Sequence, residues 1–156
     1  MTALIFCGAT LGSPLSPAST TKKVRKTMNS KNAERGLELR RAMFGKETTD
    51  RQVSECGDFL KPMQAIVTEH CFGDGWQNEV IDLKWRSLLT VAMLTAAGRR
   101  HEIKIHVRGA LSNGASREEL QALFLHAHLY CGIPLMVDAM LAAKEVFDEI
   151  DGEQNA

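Results

Sequence analysis

The stretch from Asp82 to Leu111 constrains this chain more than any other, because a helix with almost no polar face runs directly into one that carries several ionisable groups. Asp82 is a good N-cap, and the helix it opens reaches about Ala97. That helix presents Leu88, Leu89, Val91, Ala92, Met93, Leu94 and Ala96 around nearly its whole circumference, so it is expected to be buried on every side. The next helix, about Arg100 to Leu111, brings His101, Glu102, His106 and Arg108 against that apolar wall. Nonpolar surroundings with converging titratable groups are the ingredients of a reaction pocket.

The flanking sequence is helical too. A helix over about Ala33 to Phe44 stops at Gly45, and Asp58 can cap another near Phe59 to His70, with Pro62 close to its first turn. Gly73, Asp74 and Gly75 then break the chain. Beyond Asn113 and Gly114, Ser116 with Glu119 forms a capping box for a fifth helix, Gly132 ends it, and Pro134 opens a sixth that carries Leu135, Val137, Met140, Leu141 and Val146. No period of two competes, so the class is all-α, a single-domain bundle of about six helices. The domain is expected over 33–150. Residues 1–32 mix Ser, Thr, Pro, Gly and Lys without a period and read as a disordered tail or a start placed too far upstream, with Met28 as the alternative start; 151–156 form a short tail.

Composition removes several classes of function. The 19 basic and 19 acidic residues cancel, so no global field draws the chain to nucleic acid or to an anionic membrane. Cys7, Cys56, Cys71 and Cys131 form neither a CxxC pair nor a zinc cluster, which points to a reducing cytoplasm. The apolar run Ala3–Leu11 is too short to span a bilayer, and it precedes the basic cluster Lys22, Lys23, Arg25, Lys26, the reverse of a secretory signal.

Glu102 and His106 are four residues apart and share a helix face, where a carboxylate can orient an imidazole and raise its proton affinity; the same spacing also describes an ordinary surface pair or a core histidine. Arg86 enters the apolar helix near its start and needs an anion, either a structural carboxylate or a substrate. Arg40 and Arg41 face the same alternatives, and an arginine fork matches a carboxylate in a bidentate way. His126 and Tyr130 share a face of the fifth helix. His128 points elsewhere, and with no third ligand at a supporting spacing no metal site is expected. Trp76 and Trp85 are candidate pocket walls.

Four blocks, ERGLELRRAMFG around Arg40, EHCFGDGW ending at Trp76, the run from Trp85 to Glu119 and LHAHLYCGIP, stand in an order that resembles the carboxymuconolactone decarboxylase family, and within it the 4-carboxymuconolactone decarboxylases of aromatic-compound catabolism. The resemblance covers roughly Glu34 to Glu149. It implies an alkylhydroperoxidase D-like fold, a homotrimer or homohexamer, and decarboxylation of a small dicarboxylate lactone without a cofactor. The family's HxRxAxxxG pattern places its histidine on His106, with Arg108 and Gly114 completing it, and the YxGxP element takes in Tyr130. His106, oriented by Glu102, then becomes the expected proton donor or dienolate stabiliser, and Arg86 and Arg40, with Trp76, His126 and Tyr130, the expected substrate contacts. The redox-active relatives carry a CxxC pair one and two turns before the histidine; Arg99 and Glu102 stand there in this chain, and Ser87 replaces their relay glutamate. A thiol-dependent peroxidase or disulfide reductase on this fold is thereby disfavoured. A non-catalytic oligomeric ligand-binding protein is the other alternative.

Overall fold

A computed structural model describes residues 30–154 as seven α-helices with no strand among them. The N-terminal segment, with its basic cluster and Met28, lies outside the described residues. The helices are α1 (Ser30–Phe44), α2 (Lys46–Ser54), α3 (Gly57–Ile66), α4 (Leu83–Ala96), α5 (Arg100–Ser112), α6 (Arg117–Cys131) and α7 (Ile133–Gln154). α3 runs without a break into a π-helical turn, Val67–Phe72, and a short 3₁₀ turn, Gly75–Gln77, leads toward α4.

Local signals set the ends of the C-terminal helices. Asp82 accepts a hydrogen bond from the Trp85 backbone N–H (2.7 Å) at the start of α4. At α6, Ser116 and Glu119 form the reciprocal box, with bonds of 3.1 and 2.8 Å. α7 begins one residue before Pro134 and continues to Gln154, past the boundary expected at 150.

α4 to α7 pack on one another around Leu88, Val91, Ile103, Val107, Leu120, Phe124 and Val146, a contiguous apolar core. The N-terminal layer docks on this bundle through α1, which packs against α5 and the π turn. On the outer side of α5, Arg100, Lys104 and Arg108, spaced four apart, meet Asp138, Glu145 and Glu149 of α7. That ladder holds two parallel-running helices in register, while other faces of α5 pack on α4 and on α1.

Three features differ from the sequence expectation. α2 was not anticipated: it is almost wholly polar, and Thr49, fully buried, fixes it by donating to the Arg40 carbonyl oxygen (3.2 Å) while Asp50 pairs with Arg41 (2.5 Å). α3 starts at Gly57 with Cys56 as N-cap; Asp58 lies in the first turn and pairs with Lys61 (2.7 Å), so Pro62 falls beyond that turn. The third concerns α4, which is not buried on every side within one chain. Its packed face carries Ser87, Leu88, Val91 and Thr95, whereas Trp85 (58% exposed), Leu89 and Met93 (64% exposed) form a stripe facing outward. The reason is geometric, since α5, α6 and α7 surround only one side of α4 and the N-terminal layer sits on α5 instead.

Candidate active site

The π turn lies unusually close to α1. A β-carbon on Gly36 would fall 1.9 Å from the Thr68 carbonyl oxygen, and one on Gly73 would fall 2.0 Å from the Asn32 carbonyl oxygen, so backbone meets backbone at both points. This approach sets Thr68 and Phe72 of the turn against Arg40 and Phe44 of α1.

The aromatic rings then converge on α5. Phe72 meets Phe44 edge-on (centroids 5.6 Å apart) and stacks with Trp76 (5.3 Å, 28°). The His106 imidazole stacks with Trp76 (6.2 Å, 27°) and takes the Phe44 ring edge-on (5.6 Å, 85°). Gly109, one turn after His106, makes room for Phe44: a β-carbon there would lie 2.7 Å from the ring's Cε1. His106 Nδ1 is buried in this box with no hydrogen-bond partner among the described residues, a condition that calls for an explanation in a folded protein.

Burial pushes the His106 imidazole below its ordinary proton affinity, and the Glu102 carboxylate offsets only part of that. The sequence expectation had Glu102 orienting the ring and raising its affinity. Instead Glu102 is paired with Arg99 (2.5 Å), whose guanidinium holds its carboxyl below the usual range, and it acts on His106 only through space. The net shift is downward, so the imidazole is neutral at neutral pH.

Arg40 is buried (4% exposed), and its guanidinium donates to Thr68 Oγ1 (2.6 Å), Gln64 Oε1 (3.0 Å) and Gln52 Oε1 (3.2 Å). It also lies 6.0 Å from the Phe72 ring centroid. Burial lowers its proton affinity. Arg41 is committed to Asp50. Arg86 donates through Nη2 to the carbonyl oxygens of Asn78 (2.7 Å) and Ile81 (3.3 Å), and its Nε is buried without a partner among the described residues. Main-chain oxygens, not a carboxylate, therefore receive its bonds. They belong to the loop that follows Trp76, which Gln77 also ties to the Phe72 carbonyl oxygen (2.7 Å).

Residues 61–145 match the model of the carboxymuconolactone decarboxylase family. The chain is also 34% identical over 117 residues to a 4-carboxymuconolactone decarboxylase of Acinetobacter baylyi, covering 75% of this chain and 87% of that protein. This protein belongs to the carboxymuconolactone decarboxylase family. It is similar as well to nitrosuccinic acid decarboxylase of Metarhizium robertsii, 31% identical over 75% of this chain and 82% of that one. An uncharacterized 15.0 kDa protein of Paracoccus denitrificans is 33% identical over 57% of this chain and 68% of its own length. Two of these relatives carry decarboxylase names, so the family to which this chain belongs includes carboxy-lyases.

Within this family member the remaining expected site residues stand apart from the His106 box. His126 and Tyr130 contact each other (centroids 5.3 Å) on the exposed surface near the end of α6, Tyr130 being 82% exposed. His128 Nδ1 bonds to the Leu125 carbonyl oxygen. Arg108, the arginine of the HxR pattern, pairs with Glu149 (2.8 Å) on the α7 side. Trp85 faces outward. A groove of about 580 Å³ between α6 and α7, lined by Phe124, Met140 and Phe147, shares no side chain with the His106 box. Phe44, Phe72, Gln64 and Thr68 belong to the site and were not singled out from the sequence; Phe44 does lie inside the ERGLELRRAMFG block and Phe72 inside the EHCFGDGW block.

Proposed function

We propose that this protein is a cofactor-independent carboxy-lyase that converts 4-carboxymuconolactone into β-ketoadipate enol-lactone and carbon dioxide. The observation that carries the reading is His106, whose Nδ1 lies buried and unpartnered in a box of Phe44, Phe72 and Trp76. The similarity to a 4-carboxymuconolactone decarboxylase over most of both chains supports the substrate.

The chemistry asks little beyond placement and one proton. When the carbon–carboxylate bond breaks, carbon dioxide leaves and the electron pair spreads through the substrate's double bond into the lactone carbonyl. A proton must then reach carbon. His106 takes a proton from solvent and delivers it there; burial that lowers the imidazole's proton affinity makes its protonated form a stronger acid toward the carbanion. Flat apolar rings accommodate an unsaturated lactone and keep water away from the developing charge. Arg40 holds a carboxylate, and Arg86 fixes the loop behind Trp76 with its free Nε on the same guanidinium. The reading includes assembly as a homotrimer or homohexamer, which brings His126 and Tyr130 into a shared site.

A coupled assay tests it. The lactone is generated in place by its cycloisomerase and the product followed by proton NMR. Acceleration that needs no thiol and survives chelator is expected, and His106→Ala should lose on the order of 10²–10⁴ in kcat/KM while remaining folded. Near wild-type kcat/KM in that variant would end the assignment of His106. A second reading, decarboxylation of a different acid whose carbanion is stabilised by an adjacent group, is favoured by the relative that acts on nitrosuccinic acid. Rapid release of carbon dioxide from nitrosuccinate, with the lactone unchanged, would select it.

A further inference from the structure

A chamber of about 430 Å³ opens among α1, α2 and α3, within the range of small-molecule sites. Leu37, Val53 and Ala65 form apolar walls, and Gln64 and Thr68 supply polar ones. Glu34 and Lys61, one charge of each sign, also line it.

The two polar wall residues are the ones that accept hydrogen bonds from Arg40 Nη1. Arg40 thus lies directly behind the chamber wall, nine-tenths or more buried, and three uncharged oxygens receive the bonds of its two terminal nitrogens. The two glutamine acceptors, Gln64 and Gln52, are terminal amides on flexible stems, so they can swing aside at small cost. The Nη1/Nη2 edge they occupy is the end of the guanidinium fork, which a carboxylate engages with two parallel bonds stronger than those to a neutral amide.

We propose that this chamber is the binding compartment for a small organic acid, whose carboxylate displaces the Gln64 and Gln52 amides from Arg40 while its carbon body rests on Leu37, Val53 and Ala65. The inference rests on the reading above for the identity of the acid as substrate or product, and it names the place where one carboxylate is held. No side chain of the His106 box lines the compartment; Phe72, which lies under Arg40 and touches both rings that flank His106, stands between the two.

The test is calorimetric titration of the full chain with 5-oxotetrahydrofuran-3-carboxylate, a saturated lactone acid that offers no vinylogous path for decarboxylation, and with its uncharged amide as the control. The acid should bind, and the amide should bind on the order of ten- to a hundred-fold more weakly, as expected for losing hydrogen bonds to a charged group. Arg40→Gln should weaken the acid by a similar factor, and Ala65→Phe, which fills the chamber and leaves Arg40 in place, should abolish binding. Should Arg40→Gln fail to fold, Ala65→Phe decides alone. Equal binding of acid and amide, or wild-type affinity in folded Ala65→Phe, would overturn the proposal. If the acid binds in this pattern yet the unsaturated lactone is never turned over, the proposed reaction falls and the compartment stands. Turnover unaffected by Ala65→Phe would remove the compartment and leave the reaction.

Discussion

His106 and Glu102 are one turn apart on α5, yet the carboxylate's bond goes to Arg99 and the imidazole's buried nitrogen has none. The pair is therefore coupled by charge alone, and this has a definite consequence for pH. An acid must be protonated to act, so kcat/KM is highest below the imidazole's pKa and falls as pH rises through it. Burial lowers that pKa from its ordinary value of about 6.5, which places the fall on the acid side of that value. Glu102 opposes the shift, so Glu102→Gln is expected to move the fall to still lower pH and to reduce the rate at neutral pH. A pH–rate profile of the two proteins checks this; an unmoved profile in the variant would show that the carboxylate does not act on the ring. Arg99→Gln, which releases Glu102 from its ion pair, tests the same coupling from the other side.

At the level of elements, the π turn decides where the site's rings go. One extra residue per turn relative to an α-helix shifts the register of everything after Ile66, and the turn keeps its place because it can touch the α1 backbone at Gly36 and Gly73. Gly73→Ala is expected to lower the melting temperature, with a loss of at least the roughly 1–3 kcal/mol typical of overpacking, since its β-carbon would meet a main-chain oxygen that cannot rotate away. Gly152→Ala in the last turn of α7 meets nothing within 4 Å and should instead leave the melting temperature unchanged or slightly raised. Thermal denaturation of both variants separates backbone crowding from simple helix propensity. The same turn explains what could be read from the sequence and what could not. The starts of α4, α6 and α7 were legible because Asp82, the Ser116–Glu119 pair and Gly132 before Pro134 are local signals. α2 was not, since Val53 is its one large apolar residue and its anchors, Thr49 on the Arg40 carbonyl and Asp50 on Arg41, are tertiary contacts. In the site, His106, Arg40 and Trp76 were visible as motif positions. Phe72 was not, because a helical wheel drawn at the α period misplaces a residue at the end of a π turn, and Phe44, which closes α1, was not, because its place is set by a tertiary fit against Gly109.

Across the whole molecule the outstanding fact is apolar surface that the described residues of one chain do not cover. Trp85, Leu89 and Met93 run along α4 at four-residue intervals, Leu125 and Leu129 follow the same interval on α6, and Ile133, Val137 and Leu141 continue it on α7. Residues so spaced lie on one face of each helix. Patches of this kind on a small domain are commonly interaction surfaces, and a closed symmetric assembly is the ordinary way for a chain to cover its own. None of these side chains belongs to the core cluster of α4 to α7, so a charge placed among them leaves the fold of one chain intact and penalises only association. Sedimentation of the wild type should give a particle three or six times the 17.2 kDa of one chain. Leu89→Glu combined with Met93→Glu should reduce it to a single chain with helical content unchanged by circular dichroism. The activity of that single chain carries a further distinction. The His106 box is complete within one chain, whereas His126 and Tyr130 lie on the surface apart from it. Loss of turnover on dissociation, with binding at the Arg40 chamber retained, would mean that a neighbouring chain supplies part of the reaction centre. Full turnover by the single chain would confine the chemistry to α1, the π turn and α5, and would remove His126 and Tyr130 from it. A wild type that sediments as one chain at micromolar concentration would defeat the assembly itself.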